Sequence, residues 1–437
     1  MWRLLFPSQE GFMHPIVEKF GQVVDGLLPN HPNGARRLLT TGFRLNGFAG
    51  RHFVKKTSPA RRAFADVSNR TILRPFSVPQ KSAMVSLFTP CELLQAFDLS
   101  PMFPEGLSCY LSGAGAERGF IEAAENAGVP ETFCSYHKII LGAAYTGVLP
   151  RPRFIYNTSL ACDANTLTFR RLAEFYDVPH FVLDVPFACT PETIEELAGQ
   201  LQEIAQKISA LLGQPLPIEA LRAAVQRSEE TLRTYREYLA LRAQKSMPDE
   251  MTSEMYAIFA LHPLLGSVAS LEFARALKEE ARQAPPRGQE TRLLWVHTMP
   301  NLDNAMIQLL DFSKTCQIIS CDLCFDEPVL PVEMDADLWR LLARRLIENH
   351  VNGPAQRRIN AVLRQAQAMD ADGVVWFCHW GCRETCGAGA LAKSQLEQAG
   401  FPTLLLDGDG CDRANCAPGQ MTTRMQAFLE LLEGKHS

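Results

Sequence analysis

The feature that most limits what this chain can fold into is a rhythm that runs, stops and starts again. Over residues 83–190, short β-rich apolar runs (MVSLFT, RFIYNT, HFVLDVP) alternate with helical segments (GAERGFIEAAENAG, CSYHKIILGAAYTG, NTLTFRRLAEFYD). Short apolar strands separated by helices specify a parallel sheet covered by helices. Over residues 191–288 the strands vanish. TPETIEELAGQLQEIAQKISALLG opens with a Thr/Pro/Glu helix-start signature, and helical periodicity continues to the prolines at 285 and 286. Over residues 289–437 the alternation returns in RLLWVHTMP, CQIISCDLCF, GVVWFC and PTLLLDGDG, with helical stretches between and after them. The expected fold class is therefore α/β: two parallel-sheet domains, a helical insert between them and an N-terminal extension over residues 1–82.

That extension is basic. Between Ala35 and Arg74, Arg36, Arg37, Arg44, Arg51, Lys55, Lys56, Arg61, Arg62, Arg70 and Arg74 stand against one acid, Asp66. Such a run suits a phosphate-bearing ligand or an acidic partner; the simpler reading is a solvated arm over the body. At 437 residues, 46% hydrophobic and a net charge of −5, the whole chain is unlike a dedicated nucleic-acid binder, which is usually basic. The opening MWRLLFPSQEGFMHP is broken by charge and proline. Ile139–Leu149 (IILGAAYTGVL) is too short to span a bilayer. A cytoplasmic protein with no membrane or nucleic-acid partner is expected. The chain lacks GxxxxGK[ST], so no P-loop nucleotide site is expected in it. The GAGAERG at Gly113–Gly119 reads as a tight turn into a helix, and the DGDG at Asp407–Gly410 as a strand-end turn beside a cleft.

Thirteen cysteines cannot all pair. In a reducing compartment they point to metal or redox chemistry, although free cysteine also serves as a small buried hydrophobe, the role expected of Cys91, Cys189 and Cys316. Cys162 follows RFIYNTSLA, Cys378 ends GVVWF and Cys134 opens SYHKIILGAA. Ligands of open parallel sheets bind beyond the carboxyl ends of strands, and a helix N-terminus stabilises a thiolate. A metal shared by these three would sit between the two sheet domains. The one CxxC, Cys321 to Cys324, has no second pair nearby to complete a zinc site, and compact ferredoxin spacing is absent. Iron–sulfur is favoured over zinc, but spacing alone leaves both open. If helical, Cys378, Cys382 and Cys386 would share one face.

CSYHKIILGAAYTGVLPRPRFIYNTSLACD, GVVWFCHWGC and PTLLLDGDGCDRANCAPGQMTTRMQAFLE, in that order, resemble the 2-hydroxyacyl-CoA dehydratase / benzoyl-CoA reductase family, which includes the double-cubane cluster proteins. The resemblance covers the chain from about residue 85 onward and leaves the basic extension out. It implies flavodoxin-like domains and a [4Fe–4S] cluster on three cysteines with one iron open; by position these are Cys134, Cys162 and Cys378. Cys109, Cys382, Cys321 and Cys411 become further ligands if the cluster is an [8Fe–9S] double cubane, and each is otherwise a buried structural thiol. His137 and His379, beside implied ligands, are the candidate catalytic groups, as hydrogen-bond donors to cluster sulfur or proton carriers; the alternative is a histidine satisfied by a carbonyl. Implied partners are an ATP-hydrolysing iron–sulfur activator, a paralogous subunit or second copy, and an acyl-CoA or small-molecule substrate. The expected function is the iron–sulfur component of a dehydratase or low-potential reductase. A cluster-carrying subunit without its own active site and a zinc-stabilised scaffold are the alternatives.

Overall fold

The computed structural model describes residues 15–53, 57–300, 302–325, 337–416 and 419–436. The apolar opening of the chain and Lys55 and Lys56 of the basic run lie outside the described residues. Among those residues, β1 (Ser82–Val85), β2 (Ser100–Met102), β3 (Ile155–Thr158) and β4 (His180–Leu183) form one sheet in the order β2-β1-β3-β4. β5 (Thr291–Val296), β6 (Cys316–Cys321), β7 (Gly373–His379) and β8 (Thr403–Gly408) form a second in the order β6-β5-β7-β8. Every pairing is parallel. The architecture is α/β with two flavodoxin-like sheets. In each, the order reverses between the first and third strands, which opens a crevice at their carboxyl ends.

The strands read as unbroken apolar runs because β1, β3, β5 and β7 are buried at every residue, as strands covered on both faces must be. The edge strands β4 and β8 keep exposed positions. Trp295 of β5 and Trp376 of β7 are fully buried, and each indole N–H finds a carbonyl, on Thr298 at 3.1 Å and Thr385 at 3.0 Å. Trp376 thereby pins the helix that follows its own strand. β2, a three-residue Ser-Pro-Met strand, is too short to carry a periodic signal.

Residues 191–288 are helical, as expected, in Pro191–Leu212, Ile218–Arg242, Glu254–Leu261 and Val268–Gln283. Pro191–Leu212 begins at a Thr190/Thr193 capping box with proline in its first turn and stops at left-handed Gly213. The described residues of the basic extension include the helices Pro15–Leu27, Pro32–Phe53 and Pro59–Ser77, and Leu39, Phe43, Phe64 and Ile72 on the latter two are buried in the common core. It is not wholly a solvated arm. Arg61 is 1% exposed and pairs with Asp249 and Glu254, the latter at 3.4 Å. Glu254 also accepts from Arg242 at 2.7 Å. One carboxylate thus joins the extension, the helical stretch and, through Arg242 Nη2 donating to the Ile318 carbonyl at 2.7 Å, the second sheet. Close packing also holds the extension down: a Cβ on Gly21 would lie 1.8 Å from the carbonyl oxygen of Gly115, in the turn before helix Arg118–Asn126. Among the described residues no helix is long and apolar enough to cross a membrane.

Candidate functional site

The carboxyl ends of the two sheets face each other across a cavity of about 740 Å³. Its walls include Phe88 after β1, Glu105 after β2, Cys162 after β3, His297 after β5 and Cys382 after β7. Cys162 is the N-cap of helix Asp163–Tyr176 and Cys382 that of helix Arg383–Gln398. These helices follow the third strand of each sheet, so the two thiols occupy topologically equivalent places. Cys134, the N-cap of helix Ser135–Tyr145, lines the same cavity. Three helix N-termini, each with unsatisfied N–H groups and the positive end of a dipole, therefore present a cysteine to one space.

The thiols feel one another. Burial pushes Cys134 well above the ordinary thiol range, with Cys162 and Cys382 adding to the shift. Cys162 is pushed up to about 12, by burial first and then by Cys382. Without a positive ligand all that burial favours the neutral thiol; a bound metal replaces the proton.

His379 ends β7 and is buried. Its Nδ1 accepts the Gly410 N–H at 3.0 Å, which leaves the proton on Nε2, 3.2 Å from Cys134 Sγ. Both ring nitrogens are therefore engaged, and burial holds the ring neutral by lowering its pKa. Asp409 fixes the loop that does this: it accepts from Ser135 Oγ at 2.5 Å and from the N–H groups of Cys411 and Asp412 at 2.9 Å. The sequence placed Asp409 in a cleft-side turn without assigning it this contact. His137 is also buried and neutral, its pKa lowered to about 3 by burial and then by His379. Its Nε2 lies 3.9 Å from Cys162 Sγ, and its Nδ1 has no hydrogen-bond partner.

The other predicted cysteines fall in different places. Cys378 does not line the cavity. Its Sγ turns toward the Thr385 carbonyl at 3.9 Å, under helix Arg383–Gln398, where a Cβ on Gly389 would sit 3.1 Å away. Cys382 lines the cavity beside Cys134 and Cys162 instead. Cys109 and Cys386 are on the wall; Cys411 is fully buried, and burial first and then Cys109 push its thiol well above the ordinary range. Cys321 is buried away from the wall, donating to the His297 carbonyl at 3.2 Å. Of the three cysteines expected to be inert core, Cys91 and Cys316 are buried and Cys189 is exposed, because it sits in the loop before Pro191 rather than in a strand.

Two basic side chains near these thiols are paired. Lys138 is buried against Glu125 at 2.7 Å. Arg383 reaches across to Asp163 at 3.0 Å, so Asp163 bridges the two sheets' helices, and the capping position is held by Cys162.

The backbone is tensioned around the cavity. Ala161 (φ 72°) and His297 (φ 78°) are non-glycine residues in left-handed conformation, the sparsely populated kind that persists where surrounding structure enforces it. Gly381 (φ 80°) is where glycine is required: a Cβ there would lie 2.7 Å from Cys134 N and Cα. Gly381→Ala is expected to destabilise the fold by about 1–3 kcal/mol in denaturant titration, whereas Gly387→Ala, whose Cβ would meet nothing, should not lower stability.

Glu105 was not singled out by sequence reasoning. It lies on the cavity wall, accepts the Leu87 N–H at 3.2 Å, and its Oε2 is sealed without a partner. Burial raises its pKa from 4.5 to about 8. A carboxylic acid kept neutral near pH 7 in a cavity is a proton source. A lone glutamate after a proline carries no periodic or spacing signal, so only the fold reveals it.

The fold therefore defines an α/β protein of two parallel sheets that places cysteines of both halves on one interdomain cavity. The chain belongs to the 2-hydroxyglutaryl-CoA dehydratase D-component family, whose model matches residues 86–432. It is similar to the lactoyl-CoA dehydratase subunit alpha of Anaerotignum propionicum, 21% identical over 384 residues, covering 79% of this chain and 89% of that protein. It is also similar to the (R)-phenyllactyl-CoA dehydratase alpha subunit of Clostridium sporogenes, 20% identical over 367 residues, covering 79% and 88%. The (R)-2-hydroxyisocaproyl-CoA dehydratase alpha subunit of Clostridioides difficile is 20% identical over 366 residues, with the same coverage.

Proposed function

We propose that this chain is the cluster-bearing subunit of a 2-hydroxyacyl-CoA dehydratase, with Cys134, Cys162 and Cys382 holding a [4Fe–4S] cluster. The observation that carries the proposal is the meeting of three helix-capping thiols from both sheet domains on one cavity that also holds a neutral carboxylic acid. The residues fit the group: thiolates are its ligands, helix N-termini offset the charge they acquire, and His379 offers an N–H to Cys134 of the sort that orients a ligand. Bound there, such a cluster supplies a Lewis-acidic iron with an open position and a store for one low-potential electron.

The overall reaction removes hydroxyl from C2 and a proton from C3 of a 2-hydroxyacyl thioester, leaving a 2-enoyl thioester and water. Glu105, protonated at neutral pH, donates the proton that lets hydroxide leave as water, and the carboxylate so formed takes the C3 proton, which restores the acid. His379, with both nitrogens occupied, is a positioning residue for Cys134 rather than a proton carrier. His137 is a neutral hydrogen-bonding group on the wall. The aromatic walls at Phe103, Phe133 and Phe259 exclude bulk water from the reacting carbons. An ATP-hydrolysing iron–sulfur activator is the electron source this reading requires, and a paralogous subunit is its structural partner, the second supported by relatives that are alpha subunits. The reaction's setting is the cytoplasm.

The additional wall thiols Cys109 and Cys386 favour one second reading, a double-cubane reductase with more ligands. Iron analysis after anaerobic purification separates them: about four irons per chain for the first and about eight for the second. Function is tested by incubating the chain with partner subunit, activator and ATP on 2-hydroxyacyl-CoA thioesters. Enoyl-CoA and water loss seen by mass spectrometry support it; reduction of small molecules without dehydration contradicts it.

Glu105 also makes a pH prediction. Its folded pKa is raised, so its contribution favours folding below its unfolded value near 4.5 and is lost as pH rises toward about 8. Glu105→Gln, which cannot ionise, should match wild type at the acid end and exceed it above about pH 8 by on the order of 4–5 kcal/mol. Equal pH dependence of the two melting curves would show that the carboxyl is not buried as described.

A further inference from the structure

The same cavity has a second polar wall that the proposed chemistry does not use. Asn46 and Ser68, on the extension's helices Pro32–Phe53 and Pro59–Ser77, and Tyr110, on helix Pro104–Gly113, all line it. Asn46 is 3% and Ser68 0% exposed. Asn46 Oδ1, Ser68 Oγ and the Tyr110 hydroxyl are each sealed from solvent and have no hydrogen-bond partner within the protein. The three belong together. Phe43, one turn before Asn46, meets the Tyr110 ring edge-on at 5.5 Å, and its carbonyl accepts from Asn69, the neighbour of Ser68, at 3.2 Å.

Buried polar groups left unpaired are costly, and folded proteins satisfy nearly all of them. Three on one wall of an otherwise mostly apolar cavity point to a ligand that supplies the missing bonds. The wall's chemistry narrows that ligand. One atom is a pure acceptor and two are hydroxyls that donate and accept, so the complement both donates and accepts. Glu250 and Asp311 line the cavity too and oppose a carboxylate. The lining arginines, Arg358 and Arg383, lie on second-domain helices and are paired with Asp322 and Asp163. Tyr256 and Phe259 suit an apolar body behind the polar tip.

We infer that this wall recognises a neutral hydroxyl or primary amide at the end of an otherwise apolar acyl group, so that the preferred thioester carries a polar tip rather than a plain hydrocarbon or a carboxylate. This rests on the acyl-thioester reading for the identity of the whole ligand, and not for the recognition of the tip. Asn46 and Ser68 precede the residues matched by the family model, so selectivity is set in part by a segment outside the family's common body.

The test uses the full chain and two matched pairs of probes. In the first, 4-methylphenol is expected to bind at least about tenfold more tightly than toluene in calorimetric titration, with its hydroxyl at Asn46 and Ser68 in a crystal structure. Tyr110→Phe and Ser68→Ala, each shown folded by circular dichroism, should cut the preference to within about threefold. Equal affinity for phenol and toluene, or a phenol hydroxyl seated elsewhere, overturns the inference. In the second, 3-(4-hydroxyphenyl)propanoyl-CoA is compared with 3-phenylpropanoyl-CoA, neither of which carries the 2-hydroxyl. The same preference supports the wall as a selector of acyl groups, and equal binding of the two thioesters overturns it. Phenol preference with no binding of either thioester leaves the polar wall standing and removes the acyl-CoA reading.

Discussion

Cys382→Ala is expected to leave a folded chain that has lost its iron, while Cys378→Ala keeps it. Anaerobically purified wild type should carry about four irons per chain under the single-cluster reading, and Cys382→Ala less than one. The contrast is large because a cubane held by three thiolates has no spare ligand, and because Cys382 and Cys378 lie on opposite sides of a turn. Cys382 caps a helix at the cavity. Cys378 is packed beneath that helix against Thr385 and Gly389, so its loss removes one buried sulfur and costs on the order of 1–2 kcal/mol. Colorimetric iron and sulfide assays on both variants decide the matter. Retained iron in Cys382→Ala with loss in Cys378→Ala would reverse the assignment.

The largest stability effect is expected at Glu254. This side chain is 1% exposed and is held by Arg242 at 2.7 Å, Arg61 at 3.4 Å and the Tyr235 hydroxyl at 3.3 Å. Burial alone would raise its pKa, but the two arginines outweigh burial and hold the carboxyl below its ordinary value. Glu254→Leu would leave two buried guanidinium groups with one fewer anion. Removing one partner of a buried ion network typically costs 3–5 kcal/mol. Urea denaturation should show a loss of that size, and the exposed pair Arg118–Glu122 should give a change several-fold smaller when Glu122→Gln is made. A Glu254→Leu loss under about 1 kcal/mol would mean that the network does not tie the extension to the body.

Much of this was legible in the chain before its structure. Alternating strands and helices with a helical interruption specify two parallel sheets, because strands covered on both faces cannot hide their apolar runs. Cys134 and Cys162 were legible as helix-start cysteines, since each directly precedes a helical pattern. Cys382 was misplaced for a physical reason. In GVVWFCHWGC the apolar run gives no sign of where β7 stops, and intervals of four suggested one helical face for Cys378, Cys382 and Cys386. The strand in fact runs through His379. Its two-residue alternation puts Trp376 and Cys378 on the same side, both aimed at the Thr385 carbonyl, and sends His379 to the other side, toward Cys134. The turn at Gly381 then delivers Cys382. The basic extension misled in the opposite sense: charge counts reveal nothing about partners far along the chain, and Arg61 meets Glu254 only after folding. Glu105, Asn46, Ser68 and Tyr110 were illegible because a lone polar residue acquires meaning from the cavity around it.

The most direct test of the shared interdomain cluster is a crystal structure of the anaerobically purified chain, with anomalous maps recorded on both sides of the iron absorption edge. A compact group of iron peaks within bonding distance of the sulfurs of Cys134, Cys162 and Cys382 is the predicted result. Iron bound at Cys321 and Cys324 instead, or a cavity between the sheets that holds no iron in protein never exposed to air, would contradict it.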